Sequence, residues 1–174
     1  MLRKAEVADI PSLEALIGES VRILQARDYS EQQREGALGT VFGVDRQLIR
    51  DGTYFVVEAG AALVACGGWS RRKTLFGSDH APQKDDSWLD PARDAARIRA
   101  FFVHPAWARR GIGSKLMRAC EEAARLHGFS RLELAATLTG VPLYLAHGFQ
   151  EGERIEVPLA NGASIPVVRM TKTI

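Results

Sequence analysis

The stretch FFVHPAWARRGIGSKLMRACEEA, Phe101–Ala123, concentrates the residues whose types and spacing could do chemistry. Gly111 and Gly113 open a helical pattern and are flanked by Arg109, Arg110 and Ser114. The first N–H groups of a helix have no intrahelical acceptor, and the aligned peptide dipoles make that end positive. Glycines there let an anion reach the main chain unobstructed, so strand, glycine turn and helix N-terminus together predict a phosphate cradle. Two nucleotide cradles do not fit. The P-loop needs G-x-x-x-x-G-K-[S/T], and the chain has no such segment. The dinucleotide fingerprint G-x-G-x-x-G meets Leu116 at its third position and lacks the acidic residue expected about 20 residues on.

These residues need elements to position them. The apolar run ending at Val103 reads as the strand that feeds the turn. The following helix carries Leu116, Cys120, Ala123 and Ala124 on one face, and Gly128 is placed to end it. Upstream, a short strand at Leu2–Ala5 precedes a helix over about Ile10–Leu24, with an apolar stripe at Ile10, Leu13, Ile17, Val21 and Leu24. Asp9 is the expected N-cap of that helix, with Pro11 in its first turn. Ser30 and Asp45 are expected to cap two shorter helices, EQQREGAL and RQLI. Thr53–Ala59 and Ala62–Trp69 read as a buried hairpin turning at Gly60. RLELAAT is a further strand, VPLYLAHGF a short helix, and the C-terminus a hairpin around Asn161-Gly162. Between these elements, Arg71–Ala96 is polar and interrupted by prolines, which predicts a lid or binding loop. The order of elements predicts an α/β fold with a mixed sheet.

Composition bounds the function. A 174-residue chain with 46% hydrophobic and 25% charged residues fits one globular domain, 1–174, with a substantial core. A net charge of +2 gives little reason to expect nucleic acid, and Arg71-Arg72-Lys73 alone reads as a solvated loop. No apolar run reaches the roughly 20 residues that span a bilayer, so no membrane partner is expected. Cys66 and Cys120 suggest neither a disulfide framework nor a zinc site, and the expected compartment is the cytoplasm. The four histidines show no ligand spacing, so no metal is expected.

Taken together, VHPAWARRGIGSKLM resembles the acyl-CoA pyrophosphate loop of the GNAT N-acetyltransferase superfamily, whose pattern is [Q/R]-x-x-G-x-[G/A]. ADIPSLEALI is similar to the family's opening helix, FFVHPAW to its fourth strand and turn, and LYLAHGF to its late helix. The resemblance implies a mixed, mostly antiparallel central sheet, flanked by helices, whose fourth and fifth strands splay apart to admit the pantetheine arm of acetyl-CoA. It implies that the main chain of Phe102 and Val103 pairs with pantetheine, one N–H polarising the thioester carbonyl. Arg109, Arg110, Gly111, Ile112, Gly113 and Ser114 would wrap the pyrophosphate, with help from the Ser114 hydroxyl and the guanidinium groups. The leading Gln or Arg of the pattern falls on Ala108, which removes one side-chain contact. Tyr144 matches the family's tyrosine, which protonates or hydrogen-bonds the departing thiolate.

The general base is left open. Many relatives carry a glutamate on the fourth strand, where this chain has only Arg97 and Arg99. Glu133 and Glu58 are candidates, as are Asp79, His80, Asp85 and Asp86 of the long loop, or a water chain. His104 reads as a turn residue. Trp69, Phe76 and Trp88 could line an acceptor pocket or pin the loop to the core. The expected activity is direct transfer of acetyl from acetyl-CoA to an amine, a small molecule being favoured. The alternative is a catalytically silent acyl-CoA-binding or regulatory module. A homodimer is common in such folds.

Overall fold

A short strand β1 (Leu2–Lys4) leads into helix α1 (Ile10–Leu24), followed by α2 (Glu31–Ala37) and α3 (Arg46–Arg50). Strands β2 (Tyr54–Ala59) and β3 (Ala62–Ser70) form a hairpin, and β4 (Ala96–Val103) returns beside β3 after the long connection. Helix α4 (Ile112–Leu126), strand β5 (Arg131–Thr137) and helix α5 (Val141–Ala146) follow, and β6 (Gln150–Pro158) and β7 (Ser164–Thr173) close the chain. In this computed structural model, which describes residues 1–82 and 84–174, the strands form one seven-stranded sheet in the order β1-β2-β3-β4-β5-β7-β6. All neighbours are antiparallel except β4 and β5.

Both faces of the sheet are covered, which is why β3 reads as an unbroken apolar run. Alternate residues of a strand point to opposite faces. Val56 and Cys66 therefore join Leu13, Ile17 and Val21 of α1 in one cluster, while Val57 and Ala65 pack with Leu116 of α4 on the other side. Met117, Cys120 and Ala124 of α4 continue that second layer over Ile98, Leu132 and Leu134. Truncating a fully buried side chain such as Met117 to alanine would cost about 2–5 kcal/mol.

Ser30 caps α2 by accepting from the Gln33 N–H at 3.2 Å, and Asp45 caps α3 by accepting from the Gln47 N–H at 3.0 Å. Asp9 departs from expectation. It does not cap α1; its carboxylate takes the bidentate fork of Arg3 at 2.7 and 2.8 Å and the Glu6 N–H at 2.8 Å. A charged two-point partner outcompetes the helix N-terminus for the same oxygens.

The long connection also departs from a free lid. It folds back on itself, with the Lys73 N–H donating to Ser87 O, the Thr74 N–H to Asp85 O and the Leu89 N–H to Arg71 O. Arg72 then fastens it to Asp51 at 2.6 and 2.9 Å. Such a loop is held by its own ladder.

Candidate active site

The β4–β5 pairing covers only Ala96↔Leu132 and Arg97↔Glu133, after which the two strands part. Beyond that point the side of β4 that faces β5 has no strand to bond. The His104 N–H donates to Val64 O of β3 at 2.8 Å, so alternation along the strand turns the main chain of Val103 toward the open side. Phe102 is paired with Cys66 across β3–β4, and its ring packs edge-on against Phe42 at 6.1 Å. Just before it, β4 bulges: the register with β3 shifts between Cys66 and Gly68, and Ala100 takes a left-handed φ of 54°. The Ala100 carbonyl is not lost to the bulge, since the Tyr54 hydroxyl donates to it at 3.1 Å.

The cleft between the parted strands encloses about 210 Å³. Phe101, Phe102, Val103, Gly113, Leu143 and Tyr144 line one end. Ser20, Leu24, Gln25, Val41, Phe42 and Leu75–Gly77 line the other.

At the mouth of the first end lies the glycine turn. His104 opens it as predicted of a turn residue, its Nδ1 accepting the Ala106 N–H at 3.1 Å while Nε2 meets Glu19 at 2.9 Å. Arg109 and Gly111 both adopt left-handed φ, 62° and 76°. For Gly111 this conformation, rather than space, is the requirement, because an added Cβ would meet nothing within 4 Å. Gly113 is small for another reason: a Cβ there would lie 3.1 Å from Leu143 of α5. Among the described residues, the main-chain N–H groups from Arg109 through Ser114 have no acceptor, and Lys115 is the first to bond, to Gly111 O at 3.0 Å. A run of free N–H groups at a helix start is suited to hold an anion. Arg110 lies with its guanidinium 5.0 Å over the Trp107 ring, and Arg109 is exposed. The Ser114 hydroxyl is engaged by His147 Nε2 at 2.9 Å. Burial pulls the His147 pKa below its usual value, favouring the neutral ring.

Tyr144 is 8% exposed and clamped between Phe101, 6.3 Å away, and Phe149, 5.8 Å away, both edge-on. Burial raises its pKa well above that of a free phenol, so the hydroxyl keeps its proton at neutral pH.

The carboxylate candidates lie elsewhere. Glu133 sits at the closed end of β4–β5, buried, with Arg97 and Arg169 both on its carboxylate. Two guanidiniums hold it, and it lies outside the cleft lining. Glu58 accepts from Arg3 at 2.7 Å and Asp79 from Arg46 at 3.0 Å. His80 lies beside Asp79 in a separate cavity. Asp85 holds Ser87, and the Asp86 carbonyl accepts from Arg72. Among the described residues, no carboxylate or imidazole lines the cleft.

Of the three loop-side aromatics, only Phe76 reaches the cleft. Trp69 is 1% exposed in the core against His127 and Phe129, and Trp88 is 54% exposed beneath Arg72, 3.8 Å over its ring. Sequence reasoning missed Ser20 and Gln25, which lie along and just past α1 and carry no motif. It also missed the service done by Arg99, which donates from beneath the loop to Thr74 O, Gly77 O and Asp45.

The sequence profile of the acetyltransferase (GNAT) family matches residues 19–149, well over half of the chain. A comparison with curated proteins gives no match. Among solved structures, a GCN5-related N-acetyltransferase from Rhodopseudomonas palustris superposes with a TM-score of 0.73 at 22% identity, covering 100% of this chain and 95% of its own. The PaiA N-acetyltransferase of Thermoplasma acidophilum, solved with coenzyme A, gives 0.68 at 16% identity over 100% and 98%. YncA of Salmonella typhimurium, solved with acetyl-CoA, gives 0.65 at 15% identity over 99% and 92%. These likenesses establish the shared fold, and the profile match establishes the relationship: the chain belongs to the GNAT family, whose members are acetyl-CoA-dependent N-acetyltransferases.

Proposed function

We propose that residues 1–174 act as one acetyltransferase domain that moves the acetyl group of acetyl-CoA directly onto the amine of a small acceptor. The observation that carries this reading is the parting of β4 from β5 between a run of free N–H groups and the Tyr144 hydroxyl. The N–H groups of Arg109–Ser114 hold the pyrophosphate, the exposed guanidiniums of Arg109 and Arg110 adding charge at the rim. Ser114 serves through its main chain, its hydroxyl being held by His147. Pantetheine lies along the open edge of β4, beside Phe102 and bonded to the main chain of Val103.

The amine nitrogen attacks the thioester carbon, and the developing oxyanion accepts from the Val103 N–H. The carbon–sulfur bond then breaks, and Tyr144 donates its proton to the leaving thiolate. The acceptor nitrogen loses a proton to solvent, and a proton from solvent restores the phenol. No covalent enzyme intermediate enters: burial pushes the Cys66 thiol up to about 12 and raises Cys120 further, so neither supplies a thiolate at neutral pH. With no carboxylate lining the cleft among the described residues, Glu133 is not assigned as base, and the acceptor reacts from its free-amine fraction.

The test is release of CoA thiol with a panel of amines. Tyr144→Phe is expected to lower kcat about 10²- to 10⁴-fold, the range of a lost general acid, while the Kd for acetyl-CoA stays within twofold. Unchanged turnover would remove Tyr144 from the reaction. Binding of acetyl-CoA with no release to any amine would favour a silent binding module.

A further inference from the structure

The acceptor end of the cleft is apolar, with Leu24, Val41, Phe42, Leu75 and Phe76 as its walls. Arg99 brings a guanidinium to this end, with three of its five N–H donors engaged, by Asp45 Oδ2 at 2.9 Å, Thr74 O at 3.0 Å and Gly77 O at 2.6 Å. The guanidinium is thereby committed to the loop and to the Asp45 carboxylate, and the walls that face the acceptor are apolar. A second ammonium or a carboxylate on the substrate would be buried here against apolar side chains, which is costly.

Gln25 stands out in this wall because its side-chain oxygen is buried and unpartnered. It is 5% exposed, its Oε1 is fully withdrawn from solvent without a partner, and its amide nitrogen donates to no group among the described residues. Its main chain is firmly held, with the carbonyl accepting the Asp28 N–H at 3.1 Å and the Tyr29 N–H at 3.0 Å. Tyr29 braces the same turn across the cleft, donating its hydroxyl to Pro166 O at 2.6 Å and accepting the Leu138 N–H at 2.8 Å. A buried amide with idle hydrogen-bonding capacity, on a rigid mount, is a recognition group awaiting its complement.

Resting on the acetyltransferase reading, we propose that Gln25 determines acceptor specificity, and that the acceptor is a primary amine on a small, apolar, uncharged body bearing a neutral carboxamide. A carboxamide supplies both a donor and an acceptor, which is what an idle glutamine side chain lacks. The cavity, about 210 Å³ for thioester and acceptor together, admits one aliphatic or aromatic group rather than a long chain.

The probes are leucinamide, leucine, 1,4-diaminobutane and leucyl-glycyl-glycinamide, each with saturating acetyl-CoA, on the full chain and its Gln25→Leu and Gln25→Glu variants. Leucinamide is expected to exceed leucine and the diamine in kcat/KM by about 100-fold and to exceed the tripeptide amide by about 10-fold. Gln25→Leu is expected to raise the KM for leucinamide 10- to 100-fold, with kcat within threefold and the KM for acetyl-CoA within twofold. Gln25→Glu, nearly isosteric, should shift preference toward the diamine and stands in if the leucine variant fails to fold. An unchanged leucinamide KM in both variants, or an acetyl-CoA KM that moves with it, overturns the assignment of Gln25. Better use of leucine or the diamine by the wild type overturns the neutral-body assignment, and equal use of the tripeptide amide overturns the size limit. Calorimetric titration of leucinamide into the CoA-saturated protein reads the contact without turnover. Binding that Gln25→Leu abolishes upholds the proposal even if no amine is acetylated, an outcome that strikes the acetyltransferase reading alone. No binding to the wild type, or equal affinity in Gln25→Leu, overturns it.

Discussion

Replacing Arg99 by methionine keeps the apolar stem and volume of a buried side chain but removes the fork that ties the long loop to β4. Three bonds are lost: to Thr74 O at 3.0 Å, to Gly77 O at 2.6 Å and to Asp45 at 2.9 Å. Each carbonyl left buried and unpaired costs about 1–3 kcal/mol. Asp45 is not orphaned, because Lys84 stays 3.0 Å away and the Gln47 N–H remains bound. Its share thus falls below the roughly 3–5 kcal/mol of a buried charge stripped of its partner. The expected sum is about 3–4 kcal/mol, which for a domain of this size lowers Tm by about 10 °C. Because Thr74 and Gly77 bracket Leu75 and Phe76, the acceptor KM should rise several-fold while the KM for acetyl-CoA holds. Arg99→Lys, which retains charge but not the fork, should recover only part of the loss. Urea unfolding and thiol release on the three proteins make the comparison. A loss under about 1 kcal/mol, or an acceptor KM that does not move, would refute the idea that Arg99 holds the acceptor wall.

Three other perturbations separate structure from chemistry. Glu133→Gln should cost about 3 kcal/mol by uncoupling Arg97 and Arg169, yet leave the pH profile of kcat/KM rising tenfold per unit up to the acceptor's own pKa. A lost ascending limb would restore Glu133 as the base. Gly111→Ala should cost about 1 kcal/mol in unfolding experiments, because the strain lies in φ alone, and should raise the KM for acetyl-CoA by disturbing the cradle. A wild-type KM would mean that this turn does not touch the nucleotide. Arg3 holds the Asp9 carboxyl below its usual range, so the pair contributes stability above the unfolded-state pKa, near 3.8, and loses it as pH falls through the lower folded value. Asp9→Asn should therefore trail the wild type by about 1 kcal/mol at pH 6 and by progressively less as pH falls below 3.8, whereas a constant gap would mean that the ion pair does not hold the pKa down.

Much of the frame is written in local pattern. The stripe of α1, the caps at Ser30 and Asp45, the β2–β3 hairpin and the glycine turn before α4 each depend on residues within a few positions of one another, where propensity and hydrogen bonding act directly. The run of free N–H groups before α4 was legible for the same reason, since orphan N–H groups are a property of a helix start. Tyr144 was found only through its motif, LYLAHGF. Nothing local says that its ring would lie between Phe101 and Phe149.

The distribution of charge was decided by the tertiary structure. Glu133 and Arg97 face each other only because β4 and β5 pair for two residues before parting, and that pairing commits the glutamate to a guanidinium outside the cleft lining. Trp69 and Trp88 were indistinguishable in sequence from pocket walls, yet one is sealed beneath Phe129 and the other carries Arg72 on the surface. Gln25 drew no notice because its meaning lies in what fails to meet it once Tyr29, Leu138 and Pro166 have closed around the turn. Covalent neighbours specify where a helix begins and which face is apolar; which polar groups find partners depends on segments distant in sequence, whose encounter only the folded chain fixes.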